Sequence, residues 1–90
     1  MYFLVINRTR RDLTPGQYTQ LGGLAQAFYS HPPAEVTLHG DWAALDGSCT
    51  YAFLECASRE QLAAAQTPFQ PFVDMEVIAV RPLSGWGGNG

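Results

Sequence analysis

Residues 36 to 56, VTLHGDWAALDGSCTYAFLEC, contain two strand-like segments separated by a turn signal. Val36 to Trp42 and Thr50 to Cys56 alternate in polarity and are rich in β-branched and aromatic residues, which is typical of strands. Asp46-Gly47 between them is a hairpin signal, because these residues tolerate the backbone conformations that tight turns require. This stretch therefore predicts an antiparallel hairpin in the middle of the chain.

A strand and a helix are predicted before the hairpin. Tyr2 to Arg8 (YFLVINR) is apolar through Ile6, as expected of a strand that is buried on both faces. Thr14-Pro15-Gly16-Gln17 is typical of a helix start, with Thr as N-cap, Pro at the first helical position and Gln placed to bond back to the cap. The helix should end near Tyr29, before the His31-Pro32-Pro33 breaker.

The predicted first helix has one apolar stripe and a glycine pair. Its stripe recurs every three or four residues and consists of Tyr18, Leu21, Ala25 and Phe28. Gly22-Gly23 interrupts the helix at a cost of about 1 kcal/mol per residue relative to Ala. The pair indicates either close packing of the helix on a sheet or room for a ligand.

A second helix and a last strand are predicted after the hairpin. Ser58-Arg59-Glu60-Gln61 is a second capping box, and the Ala-rich segment that follows should be helical through about Gln66, before Pro68 and Pro71. Val73 to Val80 is a mostly apolar strand. Residues 84–90 contain too much glycine for a regular element, so we expect one domain over residues 1–83 and a mobile tail.

The order β-α-β-β-α-β predicts an α+β domain of the ferredoxin-like kind. Right-handed crossovers give a four-stranded antiparallel sheet of order 4-1-3-2 with both helices on one face. The strands nevertheless carry apolar residues at both parities, such as Leu4 beside Val5 and Phe53 beside Leu54. The strands of a sheet with one face in water should alternate apolar and polar residues. We therefore expect a second copy to cover the other face, forming a homodimeric α/β barrel.

Composition narrows the range of partners. The chain is 47% hydrophobic and only 14% charged, with a net charge of −3 and five arginines as its only cations. A charge balance of this kind argues against nucleic acid as a partner. Cys49 and Cys56 are too far apart on one strand to form a disulfide, and they form no zinc motif. The N-terminus has no signal-peptide pattern and no apolar run is long enough to span a membrane, so a cytoplasmic protein without a membrane partner is expected.

Candidate site residues stand out as polar side chains among apolar strand positions. No nucleotide, metal or triad motif is present, so we expect no cofactor and no metal. His39 and Glu55 are the candidate catalytic acid/base pair, since an imidazole and a carboxyl in an apolar setting can exchange protons near neutral pH. The alternative is that each is a structural strand residue. Trp42, Tyr51 and Asp41 are the candidate substrate-binding residues.

The register of the hairpin decides whether the acid/base pair can form. A two-residue turn at Asp46-Gly47 would set His39 opposite Leu54 and leave His39 and Glu55 on opposite faces. A longer loop or a single bulge would bring His39, Asp41, Tyr51 and Glu55 to one face. Asp74 and Glu76 on the last strand are more simply edge-strand charges than a catalytic pair.

The chain resembles a family of short bacterial dimeric α/β-barrel proteins of unknown function. The resemblance is carried by Phe3-Leu4-Val5-Ile6 with Arg8, Gly40-Asp41-Trp42 with Asp46-Gly47, Phe53-Leu54-Glu55, and Val73 to Val80. In that family Trp at position 42, Glu at position 55 and the VDxEV segment recur, whereas Pro68 to Pro71 and the glycine tail depart from its pattern. The wider superfamily includes cofactor-independent monooxygenases, lactone isomerases and small cyclases of bacterial pigment and alkaloid biosynthesis. The resemblance implies a dimer packed sheet on sheet and a ligand between the sheet and helices of each monomer.

Three functional hypotheses follow. The first is a cofactor-independent enzyme of secondary metabolism that binds a hydrophobic, aromatic metabolite and promotes acid/base-assisted cyclisation, isomerisation or dehydration. The second is cofactor-free oxygenation of a polyketide-like phenol. The third is a ligand-binding or structural dimer without catalysis, which would be favoured if the space between sheet and helices were filled by the protein's own side chains.

Overall fold

The computed structural model describes residues 1–83 of the chain, and the predicted mobile tail at residues 84–90 lies outside them. The elements follow the predicted order, with bounds that differ from the predicted ones by no more than one residue. They are β1 (Tyr2–Thr9), α1 (Pro15–Ser30), β2 (Thr37–Ala43), β3 (Thr50–Glu55), α2 (Arg59–Gln66) and β4 (Val73–Val80), with a 3₁₀ turn at Thr67–Phe69 after α2.

The four strands form one antiparallel sheet in the order β2-β3-β1-β4. This is the predicted order 4-1-3-2, read from the other edge. Leu62 of α2 and Phe28 of α1 pack against the same sheet residues, so both helices cover one face. The predicted ferredoxin-like α+β fold is confirmed.

The helix starts are formed largely as predicted. At α1 the Thr14 hydroxyl accepts from the Gln17 N–H at 3.2 Å, and the Gln17 side-chain oxygen accepts from the Thr14 N–H at 2.8 Å. At α2 the Ser58 hydroxyl accepts from the Gln61 N–H, but the Gln61 side chain bonds to the N–H of Ala57 instead of that of the cap. In this second capping box, the bond that Gln61 makes back therefore goes to the residue before the N-cap.

The apolar core lies between the sheet and α2. It includes Phe3, Val5, Ala52 and Leu54 from the central strands, with Leu62 from α2, all buried. Helix α1, by contrast, has no fully buried residue, although it is twice as long as α2 (16 against 8 residues). Of the predicted apolar stripe of α1, only Phe28 packs against the core cluster. We refer to the sheet face beneath the helices as the helix face and to the other as the open face.

Strand pairing assigns side chains to the open face, because directly paired residues project to the same side of a sheet. Leu4 at the centre of β1 lies between Phe53 of β3 and Ile78 of β4, and Ile6 lies beside Tyr51. None of these is fully buried in the single chain. The open face is therefore a continuous apolar surface of the monomer.

Arginines at the end of β1 and just after it pair with carboxylates of β4 at one end of the sheet. Arg8 lies 3.5 Å from Glu76, and Arg10 lies 3.4 Å from Asp74. All four side chains are about half exposed or more, so each pair contributes at most about 1 kcal/mol. Since β4 is an edge strand, these carboxylates serve as edge charges. No helix among the described residues is both long enough and apolar enough to cross a membrane.

Candidate functional site

A cavity of about 300 Å³ lies between the helix face and α1. The apolar stripe of α1 forms its roof, through Leu21, Ala25 and Phe28. Its deep walls are buried apolar residues of the sheet and α2, namely Val5, Ala52, Leu54, Leu62 and Val73. The volume is at the lower end of the range for small-molecule sites. The space under α1 is therefore not filled by the protein's own side chains.

The glycine pair of α1 does not explain this space. Gly22 and Gly23 are exposed, and a Cβ added to either would meet no atom within 4 Å. Close packing on the sheet, one of the two explanations of the pair, is therefore not what the structure shows. Neither glycine lines the cavity.

Asp41 and Tyr29 are polar residues that line the cavity from exposed positions. Asp41 comes from edge strand β2 and Tyr29 from the last turn of α1. Tyr29 is 37% exposed, and its partial burial raises the pKa of its hydroxyl, while the nearby Asp41 charge raises it further. Tyr29 is therefore held in its protonated, hydrogen-bond-donating form over a wider pH range than a free tyrosine.

Two further polar residues line the cavity, and they differ in whether their side chains have hydrogen-bond partners. Asn7 of β1 donates from Nδ2 to the Thr50 hydroxyl at 3.3 Å, so these two side chains are partners within the wall. Gln66, the last residue of α2, also lines the cavity, and its Nε2 is buried without a hydrogen-bond partner. None of the described lining residues is Arg or Lys.

His39 and Glu55 meet on the open face, with His39 Nε2 only 2.8 Å from Glu55 Oε1. Thr37 pairs with Glu55 and Leu38 with Leu54, but Gly40 pairs with Phe53, so His39 is the extra residue of a β-bulge. Both side chains are partly exposed, at 37% and 41%. The carboxylate can only accept, so the imidazole donates.

Aromatic rings surround this pair. The Tyr2 ring lies 5.8 Å from the His39 ring and 5.7 Å from that of Phe53, which is 5.5 Å from His39. We call Tyr2, His39, Phe53 and Glu55 the open-face cluster. Within residues 1–83, no three His, Cys, Asp or Glu side chains come together as metal ligands do.

The bulge, and not the turn, sets the register that the sequence left open. The connection is a longer loop, in which Ala44 N–H donates to Cys49 O at 3.0 Å and Gly47 adopts φ +76°. If the pairing of β2 with β3 next to this loop continued without a bulge, His39 would still lie opposite Leu54. The single extra residue at His39 shifts the next pairs by one, which brings His39 to Glu55.

The five predicted site residues do not form one site. His39, Glu55 and Tyr51 are on the open face, whereas Asp41 pairs with Ala52 on the helix face and lines the cavity. The expectation that a bulge would put Asp41 on the same face as His39 is corrected, because His39 is itself the inserted residue and alternation restarts after it. The Cys49 side chain, chiefly as a hydrogen-bond partner, raises the pKa of Tyr51.

Trp42 is 58% exposed, pairs with Tyr51 and also borders the cavity. A Cβ at Gly40 would lie 2.7 Å from its ring, so the indole covers the Gly40 backbone. Glycine at position 40 is what permits this close approach.

Sequence reasoning missed Tyr29 and Gln66 as candidate functional residues. Each stands at the end of a helix, where a polar residue ordinarily indicates only where the helix stops. The glycine pair of α1 had suggested room for a ligand, but it does not line the cavity, so it gave no signal for either residue. Whether a polar atom such as Gln66 Nε2 is buried without a hydrogen-bond partner depends on tertiary packing, so no sequence pattern predicts it.

Comparisons with known proteins agree with the fold. The chain is similar in structure to muconolactone isomerase, with a TM-score of 0.66 and 24% sequence identity over 94% of this chain and 93% of that one. It is also similar to SCO4226 from Streptomyces coelicolor A3(2), with a TM-score of 0.56 and 22% identity over 94% of this chain and 100% of the other. At these identities the likeness concerns the fold alone. Among curated proteins, none matches this sequence significantly.

A family model described as a domain of unknown function, DUF3303, matches residues 1–87. This agrees with the resemblance to a family of unknown function with a ferredoxin-like fold. The chain belongs to the DUF3303 family.

Proposed function

We propose that this protein is a small enzyme that binds an uncharged, largely apolar ring molecule in the cavity and moves a proton on it. The observation that carries the proposal is the unfilled cavity of about 300 Å³, with apolar walls and a carboxylate at its edge. Closing α1 onto the sheet would bury the apolar walls of this cleft and add stability, so the open space needs another explanation, which a ligand provides. An uncharged ligand fits best, because no described lining residue is cationic.

Asp41 is the proposed general base. Its carboxylate can remove a proton from the carbon next to a carbonyl, forming an enolate, and return the proton to the same or another carbon. If the substrate has a C=C bond beside that carbon, the enolate is conjugated with it. Return of the proton at the far end of the conjugated system then shifts the double bond, so the net reaction is an isomerisation with no atom gained or lost. Tyr29, whose hydroxyl stays protonated, lines the same cavity and would donate a hydrogen bond to the ligand. Muconolactone isomerase is an example of an isomerase with this fold, so the fold is compatible with the proposed reaction.

A probe of general chemistry can test this proposal. β-Tetralone is an uncharged bicyclic ketone with exchangeable protons next to its carbonyl, and its exchange in D₂O is followed by proton NMR. We expect the protein to accelerate exchange and Asp41→Asn to slow it by about 100-fold or more, the usual contribution of a general base. Asp74→Asn, which also changes an exposed strand carboxylate but outside the cavity, is the matched control.

Asp41 is ruled out as the base if Asp41→Asn and Asp74→Asn slow the exchange equally, or if Asp41→Asn leaves the exchange rate unchanged. The same assay under anaerobic conditions separates isomerisation from cofactor-free oxygenation. Oxygenation needs O₂ and gives an oxidised product, whereas exchange and isomerisation do not.

A second candidate function places the chemistry at the open-face cluster. The 2.8 Å contact between His39 and Glu55 beside two aromatic rings supports the original hypothesis of an acid/base pair. Because the pair lies across the sheet from the cavity, it could act only on a molecule bound at the open face. Loss of exchange in Glu55→Gln together with normal exchange in Asp41→Asn would favour this candidate over the first.

We also propose that a second copy of the chain covers the open face. Leu4, Ile6, Phe53 and Ile78 project from adjacent strands and make this face apolar, while only 14% of all residues are charged. Contiguous apolar surfaces on soluble proteins mark interaction sites when they are large. In a two-fold dimer the same face of each copy packs against that of the other, so both apolar faces are buried at once.

A further inference from the structure

Asn7 and Thr50 form a polar pair on the sheet side of the cavity, and this pair has an unused hydrogen-bond donor. Both side chains project to the helix face, because Asn7 follows the buried Val5 by two residues and Thr50 precedes the buried Ala52 by two. Asn7 Nδ2 donates to Thr50 Oγ1. A hydroxyl that accepts one hydrogen bond still has its own hydrogen to donate, and no group in the described part of the chain accepts it.

The Thr50 hydroxyl is accessible to a ligand. Thr50 is an exposed residue that lines the cavity. Its backbone lies between two paired strands, since Thr50 pairs with Asn7 on one side and with Ala43 on the other. The exposed surface of Thr50 therefore belongs mainly to its side chain, and its bond with Asn7 also lies at an exposed position.

We propose that the Thr50 hydroxyl binds the carbonyl oxygen of the ligand, which is a ring ketone held with its oxygen at the exposed end of the cavity and its hydrocarbon part against the buried walls. This inference rests on the proposed function, since it names the ligand class and orientation for the same cavity. A neutral hydroxyl donor matches a neutral oxygen acceptor. A carboxylate would suit the site poorly, because Asp41 lies on the cavity and no described lining residue offers a positive charge.

Asp41 and Thr50 are placed to act on one small group. Asp41 pairs with Ala52, and Ala43 pairs with Thr50, so Asp41 and Thr50 are diagonal neighbours on the helix face. Residues in this relation are about 7 to 8 Å apart, which leaves room for the O=C–C unit of a ketone between their side chains. A ketone held by its oxygen at Thr50 can therefore present the adjacent carbon to Asp41.

The same hydrogen bond would assist the chemistry. When the Asp41 carboxylate takes the proton from that carbon, the electron pair of the C–H bond moves into the carbonyl group and negative charge develops on its oxygen. A hydrogen-bond donor stabilises that charge more than it stabilises the neutral ketone, as donors at oxyanion sites do. A carbonyl oxygen can accept two hydrogen bonds, so a bond from Tyr29 is compatible with this one.

The test removes the hydroxyl and then restores it. Thr50→Val keeps the β-branched shape that suits a strand, and Thr50→Ser returns the hydroxyl. Thr37→Val is the matched control, because it makes the same change at an exposed strand residue outside the cavity. Dissociation constants are measured by NMR titration for β-tetralone and for tetralin, the corresponding hydrocarbon without the carbonyl. Exchange of β-tetralone protons in D₂O is measured at saturating ligand.

We expect Thr50→Val to bind β-tetralone about 3- to 10-fold more weakly, the effect of one neutral hydrogen bond, and to bind tetralin as the natural protein does. Exchange at saturating β-tetralone should slow by about 10-fold or more, because the hydrogen bond is stronger in the transition state than in the bound ketone. Thr50→Ser should recover most of the binding and the exchange rate, and Thr37→Val should match the natural protein.

The outcomes separate this inference from the proposed function. If neither ligand binds the natural protein, the cavity is not a site of this kind and both proposals fail. If Asp41→Asn slows exchange but Thr50→Val behaves like Thr37→Val, the proposed function stands and the role of Thr50 is overturned. Equal weakening of β-tetralone and tetralin in Thr50→Val would also overturn it, because the substitution would then act through the shape of the cavity.

Discussion

At the residue scale, His39 and Asp41 show how one inserted residue divides a set of polar side chains. Both belong to β2, two positions apart, and alternation alone would put them on one face. Because His39 is the extra residue of the bulge, it meets Glu55 on the open face, while Asp41 pairs with Ala52 on the helix face at the edge of the cavity. Bulges redirect side chains in this way near functional sites.

The titration of Tyr29 provides a test of the cavity's electrostatics. Its pKa is raised from the ordinary value of 10.0 by burial and, to a smaller extent, by Asp41. We expect Asp41→Asn to lower the pKa of Tyr29 partway toward 10.0, since the burial contribution remains. Tyrosinate absorbance against pH, with Tyr29→Phe as the difference reference, measures this. Asp74→Asn should leave it unchanged, and an equal shift there would contradict the proximity of Tyr29 and Asp41.

The same shift has a consequence for stability at high pH. Because the folded-state pKa of Tyr29 is above its unfolded value, its contribution to stability is fully present below pH 10.0 and is lost as pH rises through the folded pKa. Above pH 10.0 the free energy of unfolding, measured with denaturant, should therefore fall less steeply with pH in Tyr29→Phe than in the natural protein. If the free energy of unfolding fell equally with pH in both proteins, the raised pKa of Tyr29 would be contradicted.

At the element scale, α1 is a helix supported at its ends and weakly attached along its length. The Thr14–Gln17 capping box fixes its start, and Phe28 near its end meets Phe69 in an edge-to-face contact at 5.8 Å. Between them the stripe faces the cavity, so burial adds less stability than a packed helix of this length would gain. Helix α1 is therefore the element whose position a ligand would stabilise most.

The glycine pair of α1 can be replaced to test this account. Gly22→Ala and Gly23→Ala should each raise the free energy of unfolding by about 0.5 to 1 kcal/mol, because alanine is the better helix former and a Cβ meets nothing there. Urea denaturation monitored by circular dichroism measures this. Gly47→Ala is the contrasting control and should destabilise by about 1 kcal/mol or more, since Gly47 has φ +76°. Destabilisation by Gly22→Ala or Gly23→Ala would show that α1 needs glycine there.

At the scale of the whole molecule, the two faces of the sheet have different tasks. The helix face encloses the cavity, and the open face is a second apolar surface with the open-face cluster at one end and the Arg8–Glu76 pair at the other. A domain of this size buries a limited core, so covering the open face with a second copy would add substantially to its stability.

The proposed dimer can be tested at the centre of the open face. Leu4→Arg places a charge between Phe53 and Ile78, and we expect it to convert a dimer into a folded monomer by analytical ultracentrifugation. Gln20→Arg, at an exposed position of α1, adds the same charge elsewhere and should leave the dimer intact. A natural protein that stays monomeric at high concentration, or a Leu4→Arg variant that still dimerises, would contradict the proposal.

Much of the fold was accessible from local patterns. The capping box at Thr14, the proline breakers and the alternation of the strands act over a few residues, and these short-range effects determined the order and nearly all the bounds of the elements. The order of the strands followed from the handedness of the two crossovers, which depends on backbone chirality and not on particular side chains.

Only the tertiary structure decided where the chemistry could be. The bulge at His39 is a one-residue slip whose cost depends on which side chains meet across β2 and β3, and the sequence is compatible with either register. The cavity under α1 and the unsatisfied Gln66 amide result from how far a helix stands from a sheet. The sequence by itself thus determined the elements and their topology, because those depend on local and chiral preferences. Which polar groups share a face or a cavity depends on distances between segments far apart in the chain, which only packing sets.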